Sequence, residues 1–349
     1  MSKPIDKQQK YTDIFSEIDA AFKTMKALRP ISDSALRRYR EESDILSSFH
    51  SNAIEGNTFT YDETRLLIKD GVTATARSMR EHNDILGHSR AYWSLYESLK
   101  VNAPPNEKFV LDIHAKVLQG DDYAGRYRDA QVYIGDAVSI KYTAPSADKV
   151  PKLLSEYTAK LIEEIPKSVA GIRGTSNPDW PKLFGALAAH HIDFERIHPF
   201  FDGNGRTGRL LLNYELLQMG LPPLNITMSD RARYNAAFSS HDAKVKYSSR
   251  PGSQYEAMAK LFAECELRSV QGWLKMFASY AESGKHEAAV ELAKKYGFGE
   301  KAAADASKRA AQANKAQSDK AAAPDKAAKP AKSVTTVKVS IKSNKGDQK

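Results

Sequence analysis

Cysteine is almost absent: Cys265 is the one thiol in 349 residues. It can form no internal disulfide and rules out a multi-cysteine zinc module, so the expected setting is reducing and cytoplasmic. Long apolar runs are missing too. No stretch approaches the roughly 20 residues of a membrane helix, and Met1–Lys10 is polar, without the apolar centre of a signal peptide. The acceptor triplet Asn225-Ile226-Thr227 therefore carries no glycosylation meaning, and no membrane partner is expected. The formal charge of +9 lacks an even spread. From Lys301 to Lys349 there are 12 Lys and Arg against 4 Asp and Glu, a net of +8, which leaves 40 against 39, a net of +1, in residues 1–300. A near-neutral body argues against a basic fold built around DNA. The tail reads as a cationic segment able to touch an acidic partner or nucleic acid weakly.

What is present is the composition of a soluble globular protein, with 41% hydrophobic, 9% aromatic and 27% charged residues, long enough for one large domain or two ordinary ones. Leu36, Tyr39, Leu46, Phe49 and Ala53 fall on one face of a helix over Leu36–Ala53. A second helix is predicted from about Lys182, just after Pro181, to about Ile197, with Leu183, Phe184, Leu187, Ala188 and Phe194 as its face. A third starts near Arg206, runs through Leu210–Leu212, Leu216 and Leu217, and stops at Gly220 before Pro222 and Pro223. Within Gln131–Tyr142, Val132, Ile134, Val138 and Ile140 alternate around Gly135-Asp136, a hairpin signal. Trp93, Tyr96 and Leu99, and the amphipathic Glu256–Phe277 with Leu261, Phe262 and Trp273, read as packing faces. After Gly297 the chain becomes Ala- and Lys-rich and has too little apolar surface to offset the entropy of ordering. The predicted fold class is mainly α with one β-hairpin and a disordered C-terminal tail.

Chemistry concentrates in His198-Pro-Phe-Phe-Asp202-Gly203-Asn204-Gly205-Arg206-Thr207-Gly208-Arg209, a loop between two predicted helices. Gly203 and Gly205 let successive amides point into one concavity, and the next helix adds its unpaired amides and positive dipole end, so the site suits anionic oxygens. Arg206 and Arg209, three apart, reach the same side and suit a polyphosphate. Asp202 is a hard oxygen ligand for magnesium, and His198 has the side chain suited to accepting a proton near neutral pH. Gly203-x-Gly205-x-x-Gly208 imitates a dinucleotide fingerprint, but helical spacing precedes it where that motif needs a strand.

These residues resemble, at every defined position, the signature of the Fic (fido) family, H-x-F-x-D-G-N-G-R-x-x-R. The likeness extends over about Glu107–Ala237: Ala124-Gly125-Arg126-Tyr127-Arg128 and Gln131–Gly135 resemble the run into a target-docking hairpin, or flap, and Asp230–Phe238 resembles the segment that closes on adenine. The resemblance implies a Fic-type helical bundle with one β-hairpin flap. It divides the chain into an N-terminal helical region at 1–104, a catalytic core at 105–245, a helical extension at 246–298 and the basic tail at 299–349. It also implies a nucleotidyltransferase moving AMP from ATP to a Tyr, Thr or Ser hydroxyl of a target protein. His198 would be the base and Asp202 the magnesium ligand. Gly203, Asn204 and Gly205 would cradle the α- and β-phosphates, and Arg206 and Arg209, flanking Thr207 and Gly208 in the same nucleotide-binding run, would take the β- and γ-phosphates. Val132, Tyr133, Ile134 and Gly135 would hold the target by strand addition, and Tyr234 and Asn235 would lie against the nucleotide.

Ser51-Asn52-Ala53-Ile54-Glu55-Gly56-Asn57 closes the first predicted helix, and a glutamate in a last turn opposes the helix dipole. The run resembles the inhibitory motif (S/T)-x-x-x-E-(G/N) that some Fic proteins carry before the core. The resemblance implies an inhibitory helix at about 34–56 with Ser51, Glu55 and Gly56 as its motif residues, and pairing of Glu55 with Arg209 in the place of the γ-phosphate. Rival readings are AMP removal by the same site, and a nucleotide-responsive binding module whose basic tail engages a partner. A homodimer is common in similar proteins. His190 and His191 have no third ligand nearby in sequence and read as structural.

Overall fold

The computed structural model describes residues 7–73, 77–135, 140–247 and 252–278. In chain order these form α1 (Lys7–Ala27), α2 (Asp33–Ile54), α3 (Tyr61–Asp70), α4 (Met79–Lys100), α5 (Glu107–Val117), β1 (Tyr133–Gly135), β2 (Ile140–Thr143), α6 (Val150–Arg173), α7 (Trp180–Ile197), α8 (Asn204–Met219), α9 (Arg231–Tyr247) and α10 (Glu256–Ala278). The expected helical architecture with one hairpin is what the chain adopts. The hairpin turn, with Val138 and Asp136, and the tail after residue 278 lie outside the described residues, as do 248–251 and 279–298 of the 246–298 extension. Among the described residues no helix is long and apolar enough to cross a membrane.

Two apolar cores meet along α7 and α8. One joins α1 and α10 to Leu183, Phe184, Leu187 and Ile192 of α7 and Leu212 and Leu216 of α8, with Leu261, Phe262 and Trp273 buried as expected. The other joins α4, α5 and α6 to Phe194, Leu210, Leu211 and Tyr214. Helix α8 is accordingly buried on nearly all sides. Its carboxyl end stops at Gly220, whose φ of 79° accepts the left-handed turn that closes the helix. A helix pair gripped from both sides gives the loop between its ends a fixed position.

Helix α2 lies where periodicity puts it, but its buried face differs from the expected one. Leu46 is 37% exposed, whereas Ser43, Asp44, Ser47, Ser48, Ser51 and Asn52 are buried. Ser43, Asp44 and Ser48 find partners on α4. Asp44 accepts from Ser48 at 3.1 Å, Ser89 at 2.7 Å and the Trp93 indole at 2.8 Å, while Tyr92 donates to Ser43 at 2.8 Å. Hydrogen bonding removes the cost of burying small polar side chains, and their size lets the helices come close.

Candidate active site

The loop 198–203 joins α7 to α8. His198 adopts φ 49°, a left-handed conformation that its β-carbon disfavours, so its neighbours must hold it there. The guanidinium of buried Arg128 does so: Nε donates to the His198 carbonyl at 2.7 Å, Nη1 to Ala130 at 2.9 Å and Nη2 to Pro145 at 2.6 Å, tying the loop to both ends of the hairpin. Asn204 closes the loop, accepting the Phe200 N–H at 3.0 Å and donating to the Phe200 carbonyl at 2.8 Å. His114 stacks on Phe200 with centroids 3.5 Å apart, donates from Nε2 to the Asp202 carbonyl at 3.0 Å, and accepts the Gly125 N–H on Nδ1 at 3.0 Å. Acceptance on Nδ1 needs a neutral ring, and burial pulls its pKa down to about 4.

The His198 Nδ1 lies 3.4 Å from the Glu195 carbonyl, which can only accept, so Nδ1 carries the proton and Nε2 keeps its lone pair. Burial lowers this pKa to about 4, with Arg128 adding to the effect, so the ring is neutral near pH 7. Asp202 Oδ1 accepts the Gly203 N–H at 2.6 Å and Arg206 Nη2 at 3.2 Å, and Oδ2 accepts Arg80 Nη2 at 2.7 Å. Burial pushes toward the neutral acid, but Arg206, the Gly203 amide and Arg80 together hold the pKa below the usual carboxylate value. No group of three or more His, Cys, Asp or Glu able to hold a metal occurs among the described residues. One ionised oxygen donor beside a phosphate cradle fits magnesium, which keeps waters and shares substrate phosphates, better than a metal held by protein alone.

Gly203, at φ 75°, precedes α8 and leaves the amides of Asn204, Gly205 and Arg206 without helical partners. The Arg206 side chain is buried; Nη1 donates to Asp84 and Nε has no partner. Arg209 Nε donates to the Ser51 hydroxyl at 3.0 Å, and Nη2 donates to the Ser51 carbonyl at 2.9 Å and Glu55 Oε1 at 2.7 Å. A β-carbon on Gly205 would stand 2.4 Å from that Glu55 oxygen and 2.9 Å from Arg209 Nη1. The Glu55 carboxylate thus rests on the backbone of the α8 amino terminus, where the helix favours an anion.

Ser51, Glu55 and Arg209 are brought together, and Gly56 turns the chain away behind them at φ 97°. Thr207 is buried with its hydroxyl unpaired, and Gly208 packs on Phe194 and Glu195. In the hairpin, Tyr133 pairs with Thr143 and Ile134 with Tyr142; Val132 is buried and Tyr133 is exposed. The Tyr234 hydroxyl meets His191 Nε2 at 2.7 Å in the interior, and Asn235 is exposed on α9. His190 is held by Glu164 and Glu215. Arg80, Asp84, His114 and Glu195 complete the surroundings and carry no signature of their own. Arg128 stands in the run leading to the hairpin, which was its one sequence signal.

The Fic/DOC family model matches residues 104–216. Protein adenylyltransferase fic-1 of Caenorhabditis elegans is 34% identical over 208 residues, 58% of this chain and 38% of its own. Protein adenylyltransferase Fic of Nematostella vectensis is 34% identical over 216 residues, 59% of this chain and 45% of its own. The chain thus spans about two fifths of the length of these relatives. Among solved structures, a Fic domain containing signaling protein from Bacteroides thetaiotaomicron shares the fold with TM-score 0.64 at 23% identity, covering 76% of this chain and 98% of that one. Fic-1 from C. elegans superposes with TM-score 0.61 at 26% identity, covering 77% and 74%. Residues 104–216, which hold His198, the glycine loop and both arginines, match the Fic/DOC family and form a Fic domain within the chain.

Proposed function

We propose that the chain transfers AMP from ATP to a hydroxyl of a protein side chain and that Glu55 holds this transfer off. The observation that carries the reading is the Glu55 carboxylate seated on Gly205 and Arg209: an acid of the chain itself fills a place built for a phosphate oxygen. In the reaction the target oxygen bonds to the α-phosphorus, the bond from that phosphorus to the α–β bridging oxygen breaks, and diphosphate leaves with the electron pair. The hydroxyl proton goes to His198 Nε2, whose basicity rises as anionic phosphates approach the ring. The amides of Asn204, Gly205 and Arg206 take α- and β-phosphate oxygens; Asn204 acts through its backbone because its side chain is committed to Phe200. Arg206 and Arg209 take the β- and γ-phosphates. Magnesium bound with ATP supplies charge neutralisation at the phosphates, and Asp202 is the carboxylate that would hold it. Val132–Gly135 offers a strand edge to the target chain, and Asn235 faces the nucleotide with Tyr234 supporting α8 from behind. The setting is cytoplasmic.

Purified wild type, Glu55→Gly and Glu55→Gly/His198→Ala, each incubated with magnesium and ATP, test this by intact mass. An adenylate that accumulates faster on Glu55→Gly than on wild type, and not at all on the double variant, is the expected result. No addition to any of the three moves the reading to AMP removal or to a nucleotide-responsive binding module.

A further inference from the structure

Helix α4 starts beside the site, and its residues Arg80 and Asp84, one turn apart, face the signature loop. Arg80 donates to Asp202, Asp202 accepts from Arg206, and Arg206 donates to Asp84, an alternating chain of guanidinium and carboxylate. Its two ends differ in kind. The Arg80 side chain is 77% exposed and makes a surface pair. The Arg206 and Asp84 side chains are 4% and 20% exposed, so their pair is largely withdrawn from water. A buried guanidinium needs fixed acceptors, and among the described residues Arg206 has only these two, with Nε unpaired. Without Asp84 its fork would turn wholly onto Asp202. That rotation would take Arg206 away from the phosphates and tie it to a carboxylate that Arg80 and the Gly203 amide already engage.

Resting on the adenylyl-transfer reading, we propose that Asp84 is a positioning residue for the nucleotide: it holds Arg206 toward the β-phosphate. The phosphate site is then completed by a residue outside the family-matched stretch of 104–216.

The test uses the full chain with Glu55→Gly as parent, and adds Asp84→Asn or Asp84→Glu. ATP, ADP and AMP are titrated by calorimetry in the presence of magnesium, and the melting temperature is recorded for each variant. Asp84→Asn is expected to raise the Kd for ATP and ADP by roughly ten- to a hundred-fold, the range typical when the partner that orients a liganding group is lost. AMP, which has no β-phosphate, should bind as in the parent, and Asp84→Glu should restore most of the ATP affinity. A merely structural role would weaken all three nucleotides together and overturn the proposal, as would unchanged or tighter ATP binding in Asp84→Asn. A parent that binds no ATP would overturn the nucleotide reading and this inference with it. A parent that binds ATP with the Asp84→Asn affinity overturns the inference alone.

Discussion

Glu55→Gly removes a carboxylate that lies 2.7 Å from Arg209 Nη2, and the structure bounds what that contact is worth. The Arg209 side chain is 7% exposed but that of Glu55 is 39%, so the full Coulomb energy of a dry interior does not apply. A hydrogen bond to a charged group contributes about 1.5–3 kcal/mol, and solvent screening of the carboxylate places this pair in the lower half, about 1.5–2 kcal/mol. At 1.4 kcal/mol per factor of ten, freeing Arg209 raises the transfer rate roughly ten- to thirty-fold. Little else should change. Glu55 caps the carboxyl end of α2, where its charge opposes the dipole, and Arg209 keeps both bonds to Ser51. The assay is the initial rate of self-modification by intact mass at saturating magnesium and ATP. Glu55→Gln, which keeps an acceptor but loses the charge, should fall between wild type and Glu55→Gly. Equal rates in wild type and Glu55→Gly would refute the reasoning, and a Gln variant as slow as wild type would show that charge is not what holds Arg209.

Glu266 is fully buried with neither carboxyl oxygen paired, and burial raises its pKa well above the usual value. The stability this acid allows below its unfolded pKa is therefore lost as pH rises toward the folded one. Glu266→Met should melt higher than wild type by a margin that grows with pH, about 2–4 °C for each kcal/mol recovered; a margin independent of pH in calorimetric scans would refute this. His190 lies between Glu164 at 2.8 Å and Glu215 at 2.7 Å; burial opposes its charge, but the two carboxylates win and raise its pKa to about 9. Its contribution is full below the unfolded value and lost as pH rises through about 9, and Glu215→Gln should shrink that loss in thermal melts taken across the range. Arg128→Lys replaces a planar fork serving three carbonyls with a point charge. In the Glu55→Gly background it should slow self-modification by about a hundred-fold through misplacement of His198 while ATP affinity by calorimetry stays close to the parent's, and an affinity loss of the same size would contradict that role.

What the sequence reveals of this site follows from how far each residue's partner lies. The phosphate loop is written in twelve consecutive residues because a glycine turn and one helical turn are short-range devices, and α7 and α8 follow from apolar spacing. Even the start of α7 has a local cause, since Asp179 accepts the Lys182 N–H one residue before Trp180. The buried face of α2 misleads because its serines resemble a solvated face until Ser89, Tyr92 and Trp93 arrive from α4. Glu55 is visible for a different reason: a glutamate at a helix carboxyl end breaks a local rule, and Arg209 answers it from 154 positions away. Asp84 breaks no rule. It stands inside α4 three residues after Glu81, whose carboxylate is committed to Thr58 and to Ser78 at the same helix start. Two acids on one turn are thus alike in composition and opposite in reach, one closing its own helix and the other crossing 122 positions to Arg206. Local conflict exposes the residue that restrains the site, whereas the residue that aligns it satisfies every local preference and can be found only from its partner.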